Sequence, residues 1–237
     1  MAEEPLAPEL IGGLLGLVVH DLRNPLSALH SNASFLRSAQ EKASPDAQEA
    51  LEDVAASCEA LGHVIDNLEI LALSLRTEDR FDKNYFTLVE LVTEAVNRSR
   101  SLAVSYGVRI DWEPPSDLDV KLTTSRDMLG RALGNLIKNA IQHAHEGPVR
   151  VSLRLDGESA IVRVEDQGMP ISAELTEQAF TAAGQLSAKN AIGGRYSRGL
   201  GLFAARVAAS SARATIRSIA VKETGNAFEL LVPTSNG

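Results

Sequence analysis

Three groups of residues in this chain have types and spacings able to do chemistry. The first is His20-Asp21-Leu22-Arg23-Asn24-Pro25. An imidazole is a competent nucleophile near neutral pH when its other ring nitrogen is held by a carboxylate, and Asp21 is the adjacent candidate. The second lies in NLIKNAIQHA, residues 135–144, where Asn135 and Asn139 stand four apart. That spacing puts both amides on one helical face, where their carbonyls can orient Mg²⁺ and phosphate oxygens. The third is a pair of glycine segments, DQGMP at 166–170 and RGLGLF at 198–203. Gly168 lets the backbone approach a flat ligand, while Asp166, at a strand's end, can accept from an exocyclic amine such as adenine's. The Gly199-Leu200-Gly201 run opens a helix, where free N–H groups favour an anion.

These groups need elements to hold them. After Pro5 and Pro8, apolar residues fall at Leu15, Val18, Leu22, Leu26, Leu29, Ala33 and Leu36, the spacing of one helical face. At 100° per residue His20 points roughly 165° away from that stripe, with Asn24 one turn on and also outward. Pro25 cannot donate to the carbonyl of Asp21, so a bend is expected one turn after the histidine. A break at Lys42-Ala-Ser-Pro-Asp46, with Ser44 or Asp46 as cap, leads to a second helix. Its seam is Leu51, Val54, Cys58, Leu61, Ile65, Leu68, Ala72 and Leu75. One such hairpin cannot bury its own stripe. Two hairpins in a four-helix bundle can, so a homodimer is expected.

The periodicity lapses and charge rises over TEDRFDKNYF, so residues 1–76 are read as a helical hairpin, 77–86 as a linker and 87–237 as a second domain. In that domain helices are expected over Leu88–Ser105, Ser125–His143 and from Gly199 to Ser211. Strands are expected at 108–112, near Asp119–Leu122, at 149–155 and 160–166 joined by Asp156-Gly157, and at 214–221 and 228–233 turning about Glu223–Asn226. The fold class is α+β, a sheet with helices on one face. The Ala/Gly/Ser-rich span from Ala182 to Gly194 is a candidate mobile loop.

Bulk properties remove several classes. A net charge of −8 and a pI near 5.2 argue against a nucleic-acid partner. The run Leu14–Val19 is too short to span a bilayer, and Glu3 and Glu4 do not suit a signal peptide, so a cytoplasmic protein is expected. A single cysteine, Cys58, excludes an intrachain disulfide and is read as a small core residue. Trp112 is read as packing, and His30, His63 and His145 carry no pattern.

HDLRNPLSAL resembles the phosphoacceptor box of bacterial sensor histidine kinases, usually H-E/D-L-R-T/N-P-L. The succession NLIKNA, DQGMP, RGLGL resembles the N, G1 and G2 boxes of that family's ATP-binding domain, in the family's order, and the likeness runs from about residue 10 to 233. It implies a dimeric phosphoacceptor hairpin followed by an α/β sandwich of the histidine kinase and gyrase type. It implies further that His20 attacks the γ-phosphate of ATP, that Asp21 takes the proton on the far ring nitrogen, and that Asn24 orients water for the reverse, phosphatase reaction. Asn139 would bind Mg²⁺, Asp166 the adenine amino group, Gly168 the base, and Gly199, Leu200 and Gly201 the phosphates, with Asn135 and His143 lining the pocket. Arg198, Arg195 and Lys189 are candidates for a charge-neutralising cation. The phosphoryl group would pass to an aspartate of a response regulator. Hydrolytic relatives of this fold carry a glutamate where this chain has Asn135; an amide cannot activate water, so phosphoryl transfer is preferred over hydrolysis.

The chain departs from the pattern in three places: Pro170 replaces the second glycine of D-x-G-x-G, Gln142 replaces a lysine, and the F-x-P-F segment is reduced to AFTAAG at 179–184. These departures keep open a histidine phosphotransfer or phosphatase protein with a regulatory nucleotide domain, and a structural dimerisation hairpin. With so little chain before Leu14, the signal is expected from a separate sensor or input protein, or the chain is a fragment of a longer kinase.

Overall fold

The structure, a computed structural model, describes residues 8–39, 45–75, 83–118, 120–144, 147–171, 178–181, 200–219 and 225–234. The chain forms two compact units.

The first unit is a pair of helices, α1 (Pro8–Ala39) and α2 (Pro45–Ser74). Proline suits the first position of α2 because the N–H there has no helical partner; Ser44 lies outside the described residues. α1 stays helical through Pro25. Residues a heptad apart turn toward α2: Gly12, Val19 and Ala33 are buried and Leu26 half-buried, and α2 answers with Cys58, Ile65 and Ala72. Leu26 packs where Gly62 leaves room, 3.8 Å from the position of an added Cβ. The other half of the stripe stays open, with Leu22, Leu29, Leu36, Val54 and Leu61 exposed.

The second unit begins earlier than the sequence pattern suggests. Residues 83–86, read as the end of a linker, belong to a strand, β1 (Lys83–Thr87), which pairs antiparallel with β3 (Lys121–Ser125). Lys and Asn are poor strand formers on their own, so the strand exists through its partner nearly forty residues on. Between them lie α3 (Leu88–Ser105) and the short β2 (Ile110–Asp111). Thr87 and Glu90 form a reciprocal capping box that starts α3, and Ser125 Oγ accepts from the Met128 N–H to start α4 (Arg126–His143).

β4 (Val149–Asp156) and β5 (Ser159–Asp166) follow, then α5 (Leu200–Ser211), β6 (Thr215–Ile219) and β7 (Asn226–Pro233). The main sheet runs β2-β4-β5-β7-β6, parallel between β2 and β4 and antiparallel elsewhere. In β4, Val149, Val151 and Leu153 are buried while Ser152 and Arg154 are exposed, so one face is covered and the other open. α4 lies at the centre of the covering layer, packed on β5 and between α3 and α5. Leu129, Leu133, Leu136 and Ile137 are wholly buried there. Each such side chain contributes about 1.5–3 kcal/mol. This packing seats α4 on β5.

Candidate nucleotide site

On α4 the eight buried positions from Met128 to Ile141 leave Asn135, Asn139 and His143 half-buried on another face. The three stand four residues apart, one above the other, as the sequence spacing predicts. α4 ends at His143, with Ala144 as its C-cap, beside the turn that follows β5.

That turn is held tightly. Asp166, the last residue of β5, is 1% exposed. Its Oδ1 accepts from the Gly168 N–H at 2.8 Å and from Asn226 Nδ2 at 3.1 Å. Its Oδ2 accepts from nothing; among the described residues it is the one buried side-chain oxygen or nitrogen without a partner. A buried acceptor left unmade costs about 1–3 kcal/mol or more when charged, so an orphan of this kind calls for a donor from elsewhere. Burial pushes the Asp166 carboxyl above its ordinary value, partly opposed by the Gly168 and Asn226 hydrogen bonds and by the charge of His143. A ligand N–H at Oδ2 would stabilise the ionised form in the same way.

Gly168 is required for a reason the sequence reading did not give. A Cβ there would collide with the carbonyl oxygen of His143, so the glycine admits the end of α4 and not only a flat ligand. Gly225 does the same from the other side: at φ +102° it has a backbone few side chains adopt, and a Cβ would collide with the carbonyl of Asp166. Asp166 is thus set between the end of α4 and the start of β7. Asn226, read from sequence as part of a hairpin turn, is instead the first residue of β7, and its buried side chain reaches Asp166. A Gly-Asn pair after a polar run looks like a turn, and only the pairing of β7 with β5 reveals otherwise.

Phe180, in the AFTAAG segment read as a reduced motif, is buried. It meets Phe228 of β7 edge to face at 5.8 Å and lies under the Arg206 guanidinium of α5 at 4.8 Å. One aromatic ring therefore still anchors the chain after the Asp166 turn to the core. Leu200 and Gly201 open α5, where the first N–H groups of a helix lack helical partners, and a Cβ on Gly201 would meet open space. Arg198, Gly199 and the cation candidates Arg195 and Lys189 lie outside the described residues.

In the helical unit, His20 and Asn24 are both exposed on α1, as the angle from the apolar stripe requires; the Asp21 side chain lies outside what is described. Arg23, given no role by the sequence reading, donates from Nη2 to Asp66 Oδ1 and Glu69 Oε2, each at 3.1 Å, tying the segment around His20 to α2. Among the described residues no group of three or more His, Cys, Asp and Glu could hold a metal, and no helix is long and apolar enough to cross a membrane.

Residues 11–74 match the model of the His Kinase A (phospho-acceptor) domain, and residues 124–236 match that of the histidine kinase-, DNA gyrase B- and HSP90-like ATPases. The aerobic respiration control sensor protein ArcB of Escherichia coli is 24% identical over 221 residues, 92% of this chain and 28% of that protein. The sensor protein KdpD of Mycobacterium tuberculosis is 30% identical over 182 residues, 73% of this chain and 20% of that protein. The chain thus spans under a third of the length of either relative. Among solved structures, full-length ShkA in complex with AMPPNP superposes with a TM-score of 0.65 at 17% identity, covering 93% of this chain and 45% of that one.

Proposed function

Because this chain belongs to the sensor histidine kinase family, carrying a phospho-acceptor helical pair ahead of an ATPase-type domain, we propose that it is an ATP-dependent histidine autokinase acting on His20. The γ-phosphorus of ATP gains a bond to an imidazole nitrogen of His20 as its bond to the bridging oxygen breaks and ADP leaves. Asp21 takes the proton from the far ring nitrogen. The phosphoryl group then passes to an aspartate of a response regulator receiver domain, and Asn24 orients water for the opposing phosphatase reaction, which hydrolyses that aspartyl phosphate to inorganic phosphate.

The observation that carries this reading is the unpartnered Oδ2 of buried Asp166. A carboxylate only accepts hydrogen bonds, so it suits the amino group of adenine and repels a purine carrying a carbonyl there. A phosphotransfer or phosphatase protein with a degenerate nucleotide domain would gain nothing from keeping a buried acceptor unmade, which disfavours that form of the alternative; one with a regulatory nucleotide domain is separated by the labelling experiment below. Asn135 and His143 line the same helix face, and Gly199, Leu200 and Gly201 receive the phosphates, with Arg198 as the neutralising cation. Mg²⁺ fits a single amide, Asn139, together with phosphate oxygens, because this ion keeps most of its shell from water and nucleotide; it supplies charge neutralisation. The exposed row Leu22, Leu29, Leu36, Val54 and Leu61 supports a homodimer in which two hairpins close one four-helix core. Input comes from a sensor region or partner protein, and the reaction belongs to the cytoplasm.

Incubation with Mg²⁺ and γ-labelled ATP tests the proposal. Acid-labile, base-stable label on the wild type and none on His20→Gln is expected. An unlabelled wild type that exchanges phosphoryl groups with a phosphorylated regulator would transfer the case to the phosphotransfer reading.

A further inference from the structure

Asn226 opens β7 directly opposite Asp166 in the β5–β7 register and is 8% exposed. Its side chain makes three hydrogen bonds. Nδ2 donates to Asp166 Oδ1 and to the Met169 carbonyl, both at 3.1 Å, and Oδ1 accepts from the Ile171 N–H at 2.8 Å. Two acceptors and one donor around the amide leave a single orientation that satisfies all three, so the partners fix which end is nitrogen.

The two backbone partners flank Pro170. Proline has no N–H with which to tie a turn down, and here the neighbouring peptide groups are tied on both sides by one side chain. The same side chain holds the carboxylate. A carboxylate with a single donor can exchange its two oxygens by rotation about χ2. With Gly168 and Asn226 both on Oδ1, the plane is set and Oδ2 is left as the acceptor.

We propose that Asn226 is a positioning residue for purine selection: by occupying Asp166 Oδ1 and clamping the turn through Pro170, it aims Oδ2 at the amino group that distinguishes adenine from a 6-oxo purine. This rests on the reading of Asp166 as the base acceptor. Asn226 itself touches no substrate; it acts through Asp166.

The consequence is a change in selectivity and not only in affinity. Loosening the carboxylate removes a hydrogen bond made to ATP but not to inosine triphosphate, which offers a carbonyl at that position, whereas general loosening of the domain weakens both alike. The experiment is calorimetric binding of ATP and of inosine triphosphate to the full chain with Mg²⁺, for wild type, Asn226→Ala and Asn226→Ser, with a thermal melt of each. Asn226→Ala should weaken ATP at least ~10-fold and inosine triphosphate by less than ~3-fold, narrowing the ratio. Asn226→Ser, whose hydroxyl can donate to Oδ1 but cannot reach both peptide groups, should recover part of the ratio, and it carries the test alone if the alanine variant does not melt cooperatively. An unchanged ratio in a cooperatively melting variant overturns the inference and leaves the nucleotide reading standing. A wild type that binds neither triphosphate overturns both.

Discussion

The helical pair and the sheet domain use apolar residues to different ends. In α4 every inward position from Met128 to Ile141 is at most 1% exposed, because a sheet on one side and two helices on the flanks can enclose it. In α1 and α2 one heptad seam is closed, yet Leu22, Leu29, Leu36, Val54 and Leu61 remain 44–53% exposed. Two helices have too little surface to surround a core. Among the described residues the sheet domain therefore encloses its own core and leaves one buried oxygen without a donor. The hairpin leaves one apolar row uncovered, and His20 stands on its surface. The difference separates what must be recognised from what must be assembled.

Charging the open seam should break the comparison most severely. Leu22→Asp combined with Leu29→Asp would place two carboxylates from each protomer, four in all, in the proposed dimer core, at a cost of about 4–6 kcal/mol of association or more. Analytical ultracentrifugation should then find monomer, with ATP affinity within about 2-fold of wild type; a persisting dimer would mean that this stripe is not the interface.

The reverse test acts on the sheet domain alone. Asp166→Asn should weaken ATP by about 100-fold, roughly 3 kcal/mol, while leaving the dimer intact. It should not lower the melting temperature of the empty protein. Burial raises the Asp166 carboxyl above its unfolded value, so the folded state binds more protons and stability falls as pH rises from the unfolded value through the folded one. The asparagine variant should lose that part of the slope in a pH series of melts. A clear drop in its melting temperature at neutral pH would argue that the carboxylate is structural.

The smallest effect sharpens the contrast within the sheet domain. Glu229 sits on the sheet face away from the helices, its carboxylate nearly buried under Arg217, Arg154 and Arg163. Burial alone would raise its pKa, but hydrogen bonds and charge from Arg217, and then Arg154, outweigh it and hold the carboxyl below its ordinary range. That stability is present above the unfolded value and disappears as pH falls through the folded one. Glu229→Gln should cost about 1–2 kcal/mol at neutral pH, flatten the acid limb of the melting curve and leave ATP affinity unchanged. A change in affinity would show that the two faces of the sheet are coupled.

Much of this was legible in local pattern. The helices expected over Leu88–Ser105 and Ser125–His143 match α3 and α4 closely, the four-residue spacing of Asn135 and Asn139 puts them on one face, and the strand expected at 160–166 ends at Asp166 as β5 does. Each is a property of neighbours in the chain, so the sequence by itself determines it. What tertiary structure alone decided are contacts between distant segments: the strand Lys83–Thr87, which exists because β3 pairs with it, the need for glycine at 168 against the end of α4, and the role of Asn226. Sixty residues separate Asn226 from Asp166, and no period or turn signal spans that interval. Which oxygen of a carboxylate is left without a partner follows from packing in three dimensions, because it depends on every donor that does not arrive as much as on those that do.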